Sequence, residues 1–236
     1  MDIRRALTFA VADASWLSKG TLGAIISLVP ILNVAAIGYG TRVARRVAEG
    51  QDGDLPTWDD LGALFREGTP LALAQSLYTL PLAGLLCLPL FSAWLLLPTS
   101  GEVEALRDRT PALLLLCGAG LALFLVGWLL LSAISPAIMA NYVRVGGFAS
   151  CFDVRALARL ISADPGNYLR AVATLAAVGV GASVVIGPLA AMLSFIPCLG
   201  YIAYLLLYGA FFFYALLVQG HIVGQLLRAA AAEAAH

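Results

Sequence analysis

Long uncharged apolar runs alternate with short polar stretches along this chain, and the runs predict its main elements. "TPLALAQSLYTLPLAGLLCLPLFSAWLLLP" covers about residues 69–98, and "TPALLLLCGAGLALFLVGWLLLSAISPAIMANYV" covers about 110–143. A third run, about 169–227, is divided in two by "SFIPCLG" at 194–200. An apolar stretch longer than about 18 residues exceeds what a soluble helix buries and matches a hydrocarbon core roughly 30 Å thick. The three runs therefore predict four membrane spans. Two of them open on Thr-Pro, at 69–70 and 110–111. Threonine caps orphan N–H groups and proline at the first helical position has none to satisfy, so helix starts are expected there.

The stretch "GTLGAIISLVPILNVAAIGYG" (20–40) supports two readings. Pro30 and Asn33 interrupt it: proline removes a helix hydrogen bond, and asparagine at depth needs a partner. It is either one kinked span or two short helices forming a re-entrant hairpin with its tip near Pro30. Cytoplasmic loops carry the excess of Lys and Arg. With a hairpin, both termini, 41–68 and 144–168 share one side that holds twelve of the fourteen basic residues, leaving Arg107 and Arg109 opposite. With a full span the split is nine to five, so the charges favour the hairpin. Both readings keep 41–68, 144–168 and the C-terminus cytoplasmic. The expected fold is an all-α polytopic bundle, with four spans plus the hairpin or else five spans, and with short interfacial helices.

"DIRRALTFAVADASWL" (2–17) is echoed by "DVRALARLISADPGNYL" (153–169), and "VPILN" by "IPCLG" at 196–200. A single membrane domain, 1–236, with weak duplication of 1–68 in 153–236 is expected; such repeats are common in membrane proteins and specify no activity. Both echoed segments are amphipathic. Phe152, Leu157, Leu160 and Ile161 oppose Arg155 and Arg159, and Ile3, Leu7, Ala10 and Val11 oppose Arg4, Arg5 and Thr8. Such helices can lie at headgroup depth.

The most polar stretch is "EGQDGDLPTWDD" at 49–60, five acids and a tryptophan in twelve positions. Gly50 suits a left-handed helix C-cap, "QDGD" a turn, and Thr57 an N-cap with Asp59 and Asp60 in the first helical turn. Trp58, Leu61 and Phe65 would then share one stripe, anchoring a short helix at the interface. Leu55, Pro56, Trp58, Asp60 and Phe65 are the candidate residues of this motif. The acids lack the spacing of an EF-hand, and Pro56 interrupts them, so helix capping is the better reading than calcium.

"GYGTRVARRVAEGQDGDLPTWDDLGALFREG" resembles the signature of domain-of-unknown-function family 4013, prokaryotic membrane proteins. The resemblance rests on Gly38-Tyr39, Gly50, Leu55-Pro56, Trp58, Asp60, and Phe65 with Gly68. "DASWLSKGTLG" and "FDVRALARLISADPGNYL" are similar as well. It implies a membrane protein with no assigned reaction.

Composition fits this class, with a mean hydropathy of +0.91 and only 12% charged residues. Net charge is zero, which gives no field toward nucleic acid. Cys87, Cys117, Cys151 and Cys198 are scattered with no CxxC, which disfavours a disulfide framework or zinc site. His221 and His236 have no nucleophile or carboxylate at local spacing, and no hydrolase, zinc-protease or nucleotide motif occurs. The spans 69–98, 110–143 and 171–227 hold no charged residue, which disfavours ion coupling. Gly220 and Gly224 form a GxxxG step suited to close helix contact, within one protomer or between two. The expectation is a non-enzymatic, cofactor-free subunit or scaffold of the cytoplasmic membrane, working with lipid, a protein partner or its own copies. The alternative is a carrier or channel for an uncharged small solute.

The topology is open to a direct test in a cysteine-free background. Ser100→Cys should react with an impermeant maleimide on intact cells, and Cys151 alone only after lysis; the reverse pattern overturns the orientation.

Overall fold

The computed structural model describes residues 1–96, 103–193, 195–196 and 198–234. Among these, the regular elements are all helical: α1 (Ile3–Ala12), α2 (Trp16–Leu28), α3 (Asn33–Ala48), α4 (Leu61–Leu96), α5 (Val103–Val145), a 3₁₀ turn (Phe148–Phe152), α6 (Val154–Ala163), α7 (Pro165–Leu193) and α8 (Leu199–Ala234). Four are long and apolar enough to cross a membrane, over Leu61–Phe91, Thr110–Val145, Pro165–Leu193 and Leu199–Ala232. Ser100, Pro197 and His236 lie outside the described residues.

Helix starts differ from expectation. α4 begins at Leu61, and its cap is Asp60, whose Oδ1 accepts the Ala63 N–H at 2.8 Å; Thr57 does not cap it. Neither Thr-Pro begins a helix either, since α4 runs through Thr69-Pro70 and α5 through Thr110-Pro111. An unbroken helix leaves one carbonyl unbonded beside a proline, whereas a break in an apolar medium would expose several groups. The Thr69 hydroxyl donates to the Phe65 carbonyl at 2.7 Å, inside the helix rather than at its end.

The described chain falls into two compact units, 1–73 with 135–236, and 74–134. In the second, Gly120 admits Pro89 and the Leu85 carbonyl, and Gly127 admits Leu82. In the first, α8 is the central element, with α1, α2, α3 and α7 packed on it. One buried cluster joins Phe9, Tyr39, Val43, Val47, Leu55, Leu64, Phe213 and Leu217, and another joins Ala6, Ala171, Val218 and Ile222.

Two glycine pairs set the helix spacing. A Cβ on Gly38 would collide with the Leu64 carbonyl, and one on Gly68 with the Val34 carbonyl, so α3 and α4 cross backbone to backbone. Gly220 faces the Gly40 carbonyl, and a Cβ on Gly224 would stand 2.6 Å from the Ala44 oxygen. The GxxxG step therefore packs α8 on α3 within the protomer. Gly68, part of the family resemblance, sits inside α4.

Residues 20–40 are two helices broken at Val29–Leu32. The Lys19 ammonium donates to the Leu55 carbonyl at 2.8 Å, and the Arg5 guanidinium pairs with Asp52 at 2.9 Å. A full span over 20–40 would separate these partners by roughly 30 Å. The hairpin is therefore the correct reading and the five-span alternative fails. α2 descends along α8 from Gly23 against Phe213 to Leu28 against Gly209, and α3 returns alongside Gly220 and Gly224. Thirteen residues of α2 reach about 20 Å, short of a crossing. Ile31, at the tip, is 72% exposed, as an apolar side chain in lipid can be.

The sequence echo has a counterpart in element order. Asp2 caps α1 through the Arg5 N–H and Asp153 caps α6 through the Ala156 N–H. Each short helix ends on an aspartate, Asp13 or Asp164, that accepts an N–H from the start of the next helix. Their settings differ from a free interfacial helix: α1 buries Ala6, Phe9 and Ala10, and α6 buries Ala156 and Leu157.

Two predictions follow from packing. Gly38→Ala and Gly68→Ala should each cost at least the roughly 1–3 kcal/mol of an overpacked core, read as a lower melting temperature in detergent, while Gly179→Ala, with open space around it, should not. Cys151 needs replacing as a sidedness reporter: it is fully buried and burial pushes its thiol pKa up. The exposed Ser162→Cys should label only after lysis, where Cys151 stays unreactive throughout.

Candidate functional site

The polar turn after α3 is built on a helix stop. Gly50 has φ +84°, the Gln51 N–H bonds the Arg46 carbonyl at 2.8 Å and the Gly50 N–H bonds that of Val47 at 3.0 Å, the paired bonds of a Schellman cap. From there the chain folds back over the α1–α2 corner.

At that corner Asp13 is 4% exposed. Its carboxylate accepts the Ser15 N–H and hydroxyl, both at 2.6 Å, the Lys19 ammonium at 2.8 Å and the Leu55 N–H at 2.8 Å. Lys19 also donates to the Leu55 carbonyl, so one residue of the turn is held at both its backbone groups. A buried carboxylate is tolerated only with its lone pairs satisfied and its charge paired. Burial by itself would raise the Asp13 pKa; Lys19, Ser15 and Leu55 outweigh it and hold the carboxyl well below the usual range.

An aromatic layer seals this tie. Trp58 stacks on Tyr39 with centroids 4.4 Å apart, and both rings meet Phe213 of α8 at 5.6 and 5.3 Å. The Tyr39 hydroxyl donates to the Pro56 carbonyl at 2.6 Å, and the Trp58 indole N–H to the Lys19 carbonyl at 3.2 Å. Trp58 precedes α4, so it shares no helical stripe with Leu61 and Phe65. Phe65 packs on the same buried cluster, whereas Leu61 is largely exposed.

Some charges around the turn are committed in the same way, whereas Glu49, Asp54 and Asp59 are exposed. Asp52 pairs with Arg5, Asp60 caps α4, and Glu67 takes Arg42 at 2.6 Å while its carbonyl accepts the Tyr142 hydroxyl. Among the described residues no group of three His, Cys, Asp or Glu is placed to hold a metal.

The polar residues near the ends of the spans are ties too. Asn141 donates to the Ser150 carbonyl, and Gln219 to the Ser135 hydroxyl. Gln225 exchanges two bonds with the backbone of Asp2 and donates to His221 Nδ1 at 3.0 Å. His221 is fully buried against Phe9, with ring centroids 4.4 Å apart.

Leu55, Pro56, Trp58, Asp60 and Phe65 thus converge on one corner, while Gly220 and Gly224 serve the α3–α8 contact. Asp13, Lys19 and Tyr39 escape a reading based on local spacing, because their partners in the turn, Leu55 and Pro56, lie 17 to 42 residues away. The available signal was chemical: Lys19 is the only lysine, and Asp13 is a lone acid in an apolar context.

Removing one member of the buried pair should cost about 3–5 kcal/mol. Asp13→Asn or Lys19→Met should open Asp52–Asp54 to protease in membrane vesicles. The double variant Asp13→Leu/Lys19→Met should be milder than either, and Asp60→Ala, at about 1 kcal/mol for a lost cap, milder than the single variants. A carboxyl with a depressed folded pKa contributes stability that is full above its unfolded value of about 3.9 and is lost as pH falls through the folded one. Protection should therefore hold from about pH 8 to pH 5 and fail only in stronger acid.

Comparison with curated proteins and with solved structures returns no match. The family described as protein of unknown function (DUF4013) matches residues 22–191, which run from within α2 through α3, the polar turn and α4 to α6 into α7. With most of its length matched, this multi-span chain belongs to the DUF4013 family.

Proposed function

We propose that the protein is a non-enzymatic subunit or scaffold of the cytoplasmic membrane, with the polar corner, α6 and the C-terminus facing the cytoplasm. The carrying observation is that many of its polar side chains at the corner and near the span ends hold elements together: Asp13, Lys19, Asp52, Glu67, Asn141, Gln219 and Gln225 each bond within the chain. A catalytic or ion-coupling site needs polar groups left available for substrate. The orientation rests on the clustering of basic residues on the side shared by both termini. On this reading the corner and α6 are presented to lipid or to a protein partner.

One feature favours the alternative of a carrier or channel for an uncharged small solute. A cleft of about 670 Å³ between α7 and α8 is lined by Ser183, Gly187, Tyr201, Tyr204 and Tyr208, with hydroxyls but no charge. Copurification in mild detergent followed by mass spectrometry separates the two. A stoichiometric partner is the expected result; repeated recovery of a bare homo-oligomer, together with saturable uptake of a neutral solute into proteoliposomes, would favour the carrier.

A further inference from the structure

We propose that the outer face of α6 is a binding surface for anionic phospholipid headgroups, a proposal that rests on the scaffold reading and names the lipid it engages. Candidate spans end at Val145 and begin again at Pro165, so the segment between them lies on one membrane face. Gly146 and Gly147, both at positive φ, turn the chain sharply after α5. α6 is only about 15 Å long and stays near the surface. Its apolar side is already used, because Ala156 and Leu157 are buried.

The opposite side carries Arg155 and Arg159, one helical turn apart and both exposed, followed by exposed Ser162. Elsewhere in this unit Arg5, Lys19, Arg42 and Arg45 each meet a carboxylate, while among the described residues Arg4, Arg46, Arg66, Arg144, Arg170 and Arg228 do not. Among the described residues Arg155 and Arg159 meet none. The acids at either end of α6 are engaged in capping, Asp153 by the Ala156 N–H and Asp164 by the N–H and side-chain amide of Asn167. α1, the echo of α6, has Arg5 tied to Asp52, so the two helices share a pattern while only α6 leaves both its arginines without a protein anion.

Apolar side chains border this charge. Val145, Phe148, Val154 and Leu169 are all exposed, Val154 to 71%. Basic and apolar groups side by side where the chain leaves and re-enters the bilayer match a phosphate above an acyl chain, better than the wholly polar surface of an acidic peptide. Guanidinium groups give phosphate the forked donors that it prefers.

The test uses the full-length protein in detergent, titrated with phosphatidylglycerol or phosphatidylcholine and read by native mass spectrometry. Preferential retention of phosphatidylglycerol is expected, weakening as salt is raised. Arg155→Gln/Arg159→Gln should reduce that preference by about fivefold per arginine, while Arg5→Gln, whose parent side chain is paired with Asp52, leaves it in place. Both guanidinium groups are exposed and unpaired, so the double variant should elute as wild type on size exclusion. Equal retention of the two lipids, an unchanged preference in the double variant, displacement by inorganic phosphate, or preferential capture of an acidic peptide would each overturn the proposal. Recovery of the stoichiometric partner with the double variant separates this outcome from the scaffold reading, which stands or falls on the partner alone.

Discussion

A single buried ion pair governs the polar half of this molecule. Asp13 is an acid among apolar helices, and it is tolerable there only because Lys19, Ser15 and the Leu55 N–H surround it. Lys19 in turn reaches the Leu55 carbonyl, so the charge that stabilises the aspartate also fixes the turn after α3. With Leu55 held, Pro56 meets Tyr39, Trp58 closes over both, and the ring layer reaches Phe213 on the central helix. Ties from residues 13 and 19 to residue 55 oblige the intervening chain to enter and leave on one side. The hairpin is a consequence of that pairing.

The remaining architecture follows from how a membrane treats backbone polarity. Helices that can bond internally continue through Thr-Pro steps where a soluble chain would be free to break. With no hydrophobic drive between helices in lipid, contact depends on backbones coming close, and the pairs Gly38–Gly68 and Gly220–Gly40 supply it. The same shortage of polar surroundings explains why Gln219, Gln225 and Asn141 all find partners within the chain.

Long-period features were legible in the sequence. Four apolar helices, the division near residues 194–200 and the stop at Gly50 depend on composition or on a local glycine, and they stand as read. The charge distribution also pointed to the hairpin, because positive charges avoid crossing. Helix starts differ where a general rule for soluble proteins, Thr-Pro as a cap, meets an apolar medium that rewards continuity. Trp58 differs for another reason: a stripe with Leu61 and Phe65 requires a helix starting at Thr57, whereas Asp60 provides the cap and frees the indole to stack on Tyr39. The Asp13–Lys19–Leu55 tie was out of reach, since nothing in local spacing connects residue 55 to residues 13 and 19.

The α1–α2 corner and the polar turn should meet on one membrane face, with the hairpin between them. Spin labels at Ser18→Cys and Asp54→Cys, both exposed and each next to a residue of the tie, measure this in lipid nanodiscs by pulsed dipolar spectroscopy. One narrow distance distribution is expected, well below the roughly 30 Å thickness of the hydrocarbon core, broadening when Asp13→Asn is added. A distribution centred at or beyond that thickness would place the two labels on opposite sides and contradict it.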